Sequence, residues 1–309
     1  MEQKLVISPS PHIKSNLSVR NMMLDTLFAL LPAGIGAVVF FGYEALFVIL
    51  TSVIAAMLSE YFVNFLRKQK STVTDFSCVI TGVLLAYSLP SSTPLWMVAI
   101  GAFVGVVFGK MVFGGIGFNP FNPALVGRAF LQISFPKEIS SFVIDGITTA
   151  TPLTIVKYKM EEKIPDVYNL LVGNYASSLG ESSVILLLLG YLYLILRGHI
   201  YPVVPWVYIG TVGLISVFVL PQNLHIQLFS GGLFLGAIFM ATDPVTTPVS
   251  PKGKIIFALG CGILTCVIRF WGSYPEGVCF SILLMNLLTP IIDNYIIIKK
   301  FGNVEREKN

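Results

Sequence analysis

Apolar residues run along this chain in long blocks separated by short polar breaks. Such stretches cover about 22–41, 44–66, 74–89, 95–113 and 120–133. A polar interval, 134–181, follows, and apolar stretches resume at about 183–197, 201–220, 228–241, 254–271 and 277–298. Crossing a bilayer takes about 20 apolar residues, so the pattern predicts an all-α polytopic membrane protein with about ten transmembrane segments. The stretches 74–89, 120–133 and 228–241 fall short of that length and predict short or broken helices, the usual sign of a buried site. The third stretch of the first half (72–90) corresponds in order to the third of the second half (229–248). An odd number of stretches per half means that two like halves insert in opposite orientations, as inverted five-helix repeats. The expected divisions are a cytoplasmic N-terminal arm (1–21), a first membrane repeat (22–133), an extracytoplasmic loop (134–181), a second repeat (182–298) and a cytoplasmic tail (299–309).

Composition strengthens this reading. Hydrophobic side chains make up 55% of the 309 residues and charged ones only 12%, with a mean hydropathy of +0.80. A soluble core of this size could not hide so much apolar surface. The segment before the first apolar stretch lacks a signal-peptide h-region, so no cleavable leader is expected and the chain inserts through its own helices. Net charge is +4, but placement matters more. With the N-terminus inside, Arg67, Lys68, Lys70, Lys110, Arg197, Lys252 and Lys254 fall on the cytoplasmic side. The outer side receives Lys137, Lys157, Lys159, Lys163 and Arg269, while Arg128 lies within a segment. This positive-inside bias places both termini in the cytoplasm and the long polar loop outside.

Candidate chemistry is sparse. Cys78, Cys261, Cys266 and Cys279 sit in or beside apolar runs without a C-x-x-C, and His12, His199 and His225 are scattered, so no metal site is expected. Gly114-x-x-Gly117 lacks the strand–turn–helix context of a dinucleotide fold, and no Walker P-loop is present. Neither NAD binding nor ATP-driven pumping is expected of this chain, and no nucleic-acid partner. Asp145-Gly146-Ile147-Thr148-Thr149-Ala150-Thr151-Pro152 stands out within the polar interval: three Thr hydroxyls among small residues, in an open loop that an enzyme could reach. A Thr-rich turn bonded to its own backbone accounts for the same residues. Asn119 and Asn122, three apart, would share one face if the segment is helical, and need partners at membrane depth; they either cap a broken helix or bind a ligand with an amide-like edge. Asp75 and Asp243 end short segments and Glu60 lies within the second span. Each could meet a cation, and capping explains the two Asp equally.

Several of these segments, in order, resemble one family. Asp145–Pro152 resembles the flavinylation motif D-G-x-S/T-S/T/G-A-T of the RnfD/NqrB membrane flavin subunits, and its RnfD branch is the nearer. Phe113–Phe130 resembles the family's G-G-x-G-x-N-x-F-N-P-A-x-x-G-R-A-F block, Gly180-Glu181-Ser182-Ser183 its G-E-x-S, and Arg269–Gly277 its R-x-x-x-x-x-P-E-G turn. The resemblance implies covalent FMN on Thr151 through a phosphoester, with Asp145, Gly146, Thr148 and Thr149 as the rest of the motif. It also implies a non-covalent riboflavin contacted by Asn119 and Asn122, and ion passage near Asp243 and Glu60. The partners implied are the other Rnf subunits (A, B, C, E and G), a flavin transferase and the lipid bilayer of a bacterial or archaeal cytoplasmic membrane. The activity implied is electron relay in an ion-translocating ferredoxin:NAD oxidoreductase complex, coupled to Na⁺ or H⁺. A secondary transporter or channel of similar inverted-repeat fold is the alternative.

Overall fold

The computed structural model describes residues 18–144, 147–161, 164–173 and 175–296. Most of the N-terminal arm, the C-terminal tail, Asp145 and Gly146 lie outside the described residues. The helices of the first half are α1 (Val19–Phe41), α2 (Tyr43–Leu66), α3 (Ser77–Tyr87), α4 (Leu95–Gly109) and α5 (Pro123–Ser134). The polar interval contributes α6 (Pro136–Ile139), strands β1 (Phe142–Ile144) and β2 (Ile147–Thr149), α7 (Pro152–Tyr158) and α8 (Val167–Val172). The second half holds α9 (Val184–Leu196), α10 (Val203–Val219), α11 (Leu224–Phe229), α12 (Leu233–Leu235), α13 (Pro251–Trp271) and α14 (Val278–Tyr295). A π-helical turn, Gly236–Met240, continues α12.

The chain is predominantly helical, as expected of an all-α membrane protein, with one short hairpin and fewer than ten long apolar helices among the described residues. β1 and β2 form an antiparallel hairpin in register Phe142↔Thr149 and Ile144↔Ile147, so the chain is not purely helical. Among the described residues, five helices are long and apolar enough to cross a membrane, or six if the pair Pro221–Phe229 and Leu233–Met240, bent by 55°, counts as one span. α9 and α10 are shorter than their apolar runs. The 13 residues of α9 rise about 20 Å, against a hydrocarbon thickness of about 30 Å.

Local signals explain the breaks. Before α3, Phe76 takes a left-handed conformation (φ 64°) as the N-cap, and the Asp75 carboxylate accepts the Ser77 N–H at 2.8 Å, an Asx turn that leads into the short helix. In the second half the break falls at Gly231 and Gly232, both at positive φ, between α11 and α12.

Packing repeats between the halves. In the first, α2 packs on α3 and α4, α4 on α5, and α3 on α5; in the second, α10 packs on the α12–π segment and α13, α13 on α14, and the π turn on α14. The halves meet where α1 lies on α9 and α5 on α14. α4 starts at the face that carries 134–181, where Ser92 bonds the Ser141 carbonyl, and α13 ends there, where Lys157 bonds the Gly272 carbonyl. Small residues make these seams close, as expected where apolar area alone cannot favour helix pairing over lipid. A Cβ on Gly127 would lie 2.5 Å from the Gly101 carbonyl oxygen, and one on Gly105 would lie 2.6 Å from that of Pro123. The opposite sides of the helices, with Ile35 and Val39 on α1 and Leu214 and Phe218 on α10, are exposed and apolar, as a lipid-facing surface must be.

Candidate functional site

At the end of the molecule opposite 134–181, the start of α3, the stretch between α4 and α5, and the chain from the π turn to Val245 line a partly open pocket with about 90 Å³ of interior space. That space is smaller than the ~300–1,000 Å³ of ordinary small-molecule sites, so a bound molecule would extend out of the pocket. Its walls include Ile80 and Leu84 of α3, Phe239 of the π turn, and the polar groups Asn119, Asn122, Lys110, His199 and Asp243. Asn119, Asn122 and Asp243, distant in sequence, therefore meet in one cavity. The segment 119–122 is not helical, so the two Asn share no helical face, and the capping alternative describes Asn122. Pro120 and Pro123 keep 119–122 out of the helix, and Asn122 becomes the N-cap of α5, its Oδ1 accepting the Ala124 N–H at 3.1 Å. Asn122 Nδ2 also donates to the Met240 carbonyl at 3.5 Å, tying the two halves, while Asn119 Nδ2 donates to the Phe121 carbonyl at 3.0 Å. Asp243 accepts from the Val245 N–H (3.3 Å) and Thr246 hydroxyl (3.2 Å), a local turn at the cavity wall.

Glu60 reaches this pocket only through Lys110. The Lys110 ammonium, 2% exposed, donates to Glu60 Oε2 at 2.6 Å and to Ser77 Oγ at 2.5 Å, and Glu60 itself is fully buried. Charge placement alone puts Lys110 among the cytoplasmic loop cations; the structure buries it, because its counter-ion waits one helix away. His199, which carries no role in the sequence pattern, lies within 2.6 Å of Asp25 at the pocket mouth, and Asp25 also accepts from the Tyr193 hydroxyl at 2.8 Å.

Thr151 occupies the other end of the molecule. The expected open loop is instead a buried helix start: Thr151 is 6% exposed and N-caps α7, with Pro152 at the first helical position. Its hydroxyl lies 2.7 Å from Thr154 Oγ1 and accepts the Thr154 N–H at 3.3 Å. The sequence Thr-Pro-Leu-Thr-Ile favours this arrangement because Leu153 and Ile155 are buried, Leu153 in a small core with Leu170, Tyr175 and Ile226. β2 delivers the chain to Thr151, and the Thr149 hydroxyl is buried without a partner among the described residues. Thr148 pairs with Val143 in the hairpin register.

Beneath this loop lies a group of buried charges. Arg128 of α5 pairs with Glu276, in the turn between α13 and α14. Arg269 donates to the carbonyls of Gln227 (2.5 Å), Ser230 and Gly231 (3.2 Å each), holding the α11–α12 break. Glu181 abuts Gly232, where any Cβ would collide with its carboxylate. Burial, helped by the nearby Glu276, pushes the Glu181 carboxyl up to about 8, outweighing Arg128. A carboxyl raised above its ordinary value stabilises the fold below about 4.5, and that contribution is lost as pH rises through about 8. Glu181→Gln is therefore expected to flatten the loss of thermal stability between about pH 5 and pH 9. Melting curves of the two proteins at both pH values check this; parallel losses would exclude Glu181 as their source.

A predominantly helical multi-pass membrane protein, with a polar pocket between the two halves of the chain and a Thr-capped loop helix at the opposite end, is the class these features define. The chain belongs to the NQR2, RnfD, RnfE family, whose model matches residues 6–302. It is 44% identical to the D subunit of the proton-translocating ferredoxin:NAD(+) oxidoreductase complex of Clostridium ljungdahlii, over 96% of each chain. To the D subunit of the Na(+)-translocating ferredoxin:NAD(+) oxidoreductase complex of Acetobacterium woodii it is 40% identical, over 99% of this chain and 98% of the relative. The D subunit of the ion-translocating oxidoreductase complex of Mannheimia succiniciproducens is 35% identical, over 98% of this chain and 99% of the relative.

Proposed function

We propose that this chain is the D-type membrane subunit of an ion-translocating ferredoxin:NAD oxidoreductase complex, with FMN joined covalently to Thr151. The observation that carries the proposal is near-full-length similarity to subunits so named, in a chain that keeps Asp145–Thr151. FMN supplies the electron acceptance and donation when bound. Thr151 supplies only the attachment oxygen, and a transferase must draw that hydroxyl out of its capping bond with Thr154, since a Thr hydroxyl is a weak nucleophile. The same reading places a second flavin, riboflavin, at the cavity between the halves: its lining is largely apolar and includes the Asn119 and Asn122 amides, and its interior of about 90 Å³ would take only part of the ring system. Asp243 faces the same cavity, which supports an ion-handling role there. Glu60 contributes through Lys110. One relative is named for protons and the other for Na⁺, so the proposal covers either cation.

The membrane architecture belongs to the same proposal: two inverted five-helix repeats, 22–133 and 182–298, with both termini cytoplasmic and 134–181 outside. Support comes from counterpart helices that run in opposite directions and from the positive-inside distribution. In-gel flavin fluorescence of denatured protein, produced together with a flavin transferase, tests the cofactor reading. A fluorescent wild-type band and a dark Thr151→Ala band are expected. A dark wild-type band, from a transferase that labels a control protein, would remove covalent FMN and leave a plain transporter as the reading.

A further inference from the structure

Lys157 closes α7 in an unusual way for a loop cation. Its ammonium donates to the carbonyl oxygens of Tyr274 (2.6 Å), Gly272 (2.7 Å) and Ile268 (3.5 Å). The next residue, Tyr158, donates its hydroxyl to the Ser273 carbonyl at 3.1 Å. These acceptors form the end of α13 and the turn after it. The Ile268 carbonyl also accepts the Gly272 N–H, whereas the Gly272 and Tyr274 carbonyls lie past the last helical residue, and the dipole at a helix end favours a cation. Three ammonium donors meeting three carbonyls is a full complement. Among the described residues Lys157 has no carboxylate partner, and burial lowers its pKa below the ordinary lysine value. The cation is thus held by main-chain oxygens alone, at a geometry that a flexible surface lysine has no reason to keep.

We propose that Lys157 is a positioning residue: it pins α7 to the α13–α14 turn and so fixes where a group attached to Thr151 sits. The inference rests on the Thr151 reading for its purpose, although the dock itself does not. Six residues of helix separate Thr151 from Lys157, a rise of about 9 Å, so an anchor at one end of α7 constrains the other within little more than one and a half turns. The apolar contacts of Leu153 and Ile155 resist lifting of the helix, but they are non-directional. Lys157 and Tyr158 supply its register. The turn that receives them also carries Glu276, the partner of Arg128 on α5.

The test uses full-length protein, flavinylated in cells that supply the transferase. In Lys157→Met, the in-gel flavin band is expected to match wild type, because the attachment oxygen is untouched. Amide exchange across 153–158 is expected to accelerate roughly tenfold or more, the loss of about one charged hydrogen bond. The fluorescence anisotropy of the attached flavin is expected to fall, while global melting stays near wild type. Lys157→Arg, which returns a cation and donors to the same carbonyls, is expected to restore slow exchange in part. Tyr158→Phe, a milder change, is expected to move exchange in the same direction by less. Unchanged exchange and anisotropy in Lys157→Met would overturn the proposal. The exchange arm needs no flavin, so an unlabelled wild-type protein would sink the cofactor reading while leaving the dock still tested.

Discussion

Glu60→Gln is expected to lower thermal stability more than any other single polar substitution in the first half. It leaves the Lys110 ammonium buried, 2% exposed, with only the Ser77 hydroxyl and a neutral amide beside it. Removing one member of a buried ion pair costs about 3–5 kcal/mol, because the survivor is a desolvated charge. Lys110→Met is expected to cost a similar amount for the opposite charge. The informative protein is the double variant: Glu60→Gln with Lys110→Met removes both charges and is expected to recover most of the loss, since an apolar replacement of a whole pair is often neutral. Detergent-phase melting of the four proteins closes the cycle. Additive losses would mean the pair is not coupled. Because Ser77 and Lys110 both line the cavity, the single variants are also expected to lose any flavin held there before they lose membrane insertion.

Gly190→Val comes second in expected effect. A Cβ on Gly190 would overlap the Ala29 carbonyl oxygen and come within 3.1 Å of the Phe239 ring. Ala29 is main chain in the middle of α1, so the clash cannot be relieved by a side-chain rotation. The two helices, α1 and α9, form one of the two seams between the halves. Overpacking of this kind costs about 1–3 kcal/mol in ordinary cores, and a backbone collision lies at the upper end. Gly210→Val in α10 is the matched control, since nothing lies within 4 Å of a Cβ there. Size-exclusion profiles in mild detergent are expected to show broadening for Gly190→Val and none for Gly210→Val. Equal behaviour of the two would mean that α1 and α9 do not need close contact.

Much of the fold is legible in the sequence because membrane helices declare themselves by unbroken apolar runs. The starts of α3, α5 and α7 are legible too, through Asp75, Asn122-Pro123 and Thr151-Pro152. The departures have physical causes. Asp145-Gly146 between apolar neighbours is a two-residue hairpin signal, and the pairing of β1 with β2 obeys it, whereas the Thr hydroxyls that follow suggest an open loop. The core under the start of α7 packs Leu153 with Ile226, which lies in another half of the chain and has no local signature. Lys110, Arg269 and Lys157 read as loop cations because a charge at the end of an apolar run looks the same whether it meets water or a partner. The partners are Glu60, the carbonyls around Ser230, and the end of α13. Only the folded chain brings them near. Of the candidate site residues, Asn119, Asn122 and Asp243 come together in one cavity, and Glu60 joins it through an intermediary that no spacing rule could supply.

α5 bears on both ends of the molecule at once. Its N-cap, Asn122, faces the cavity, while Arg128, about 9 Å further along the axis, pairs with the turn that receives Lys157. Gly105 and Gly109 press on Pro123, and Gly101 presses on Gly127, so the rod cannot slide between its neighbours. It behaves as a ruler cut to one length. The spacing between the cavity and the Thr151 region is therefore a property of this single polypeptide, set when it folds. Neighbouring proteins that push on either end would carry both regions along together.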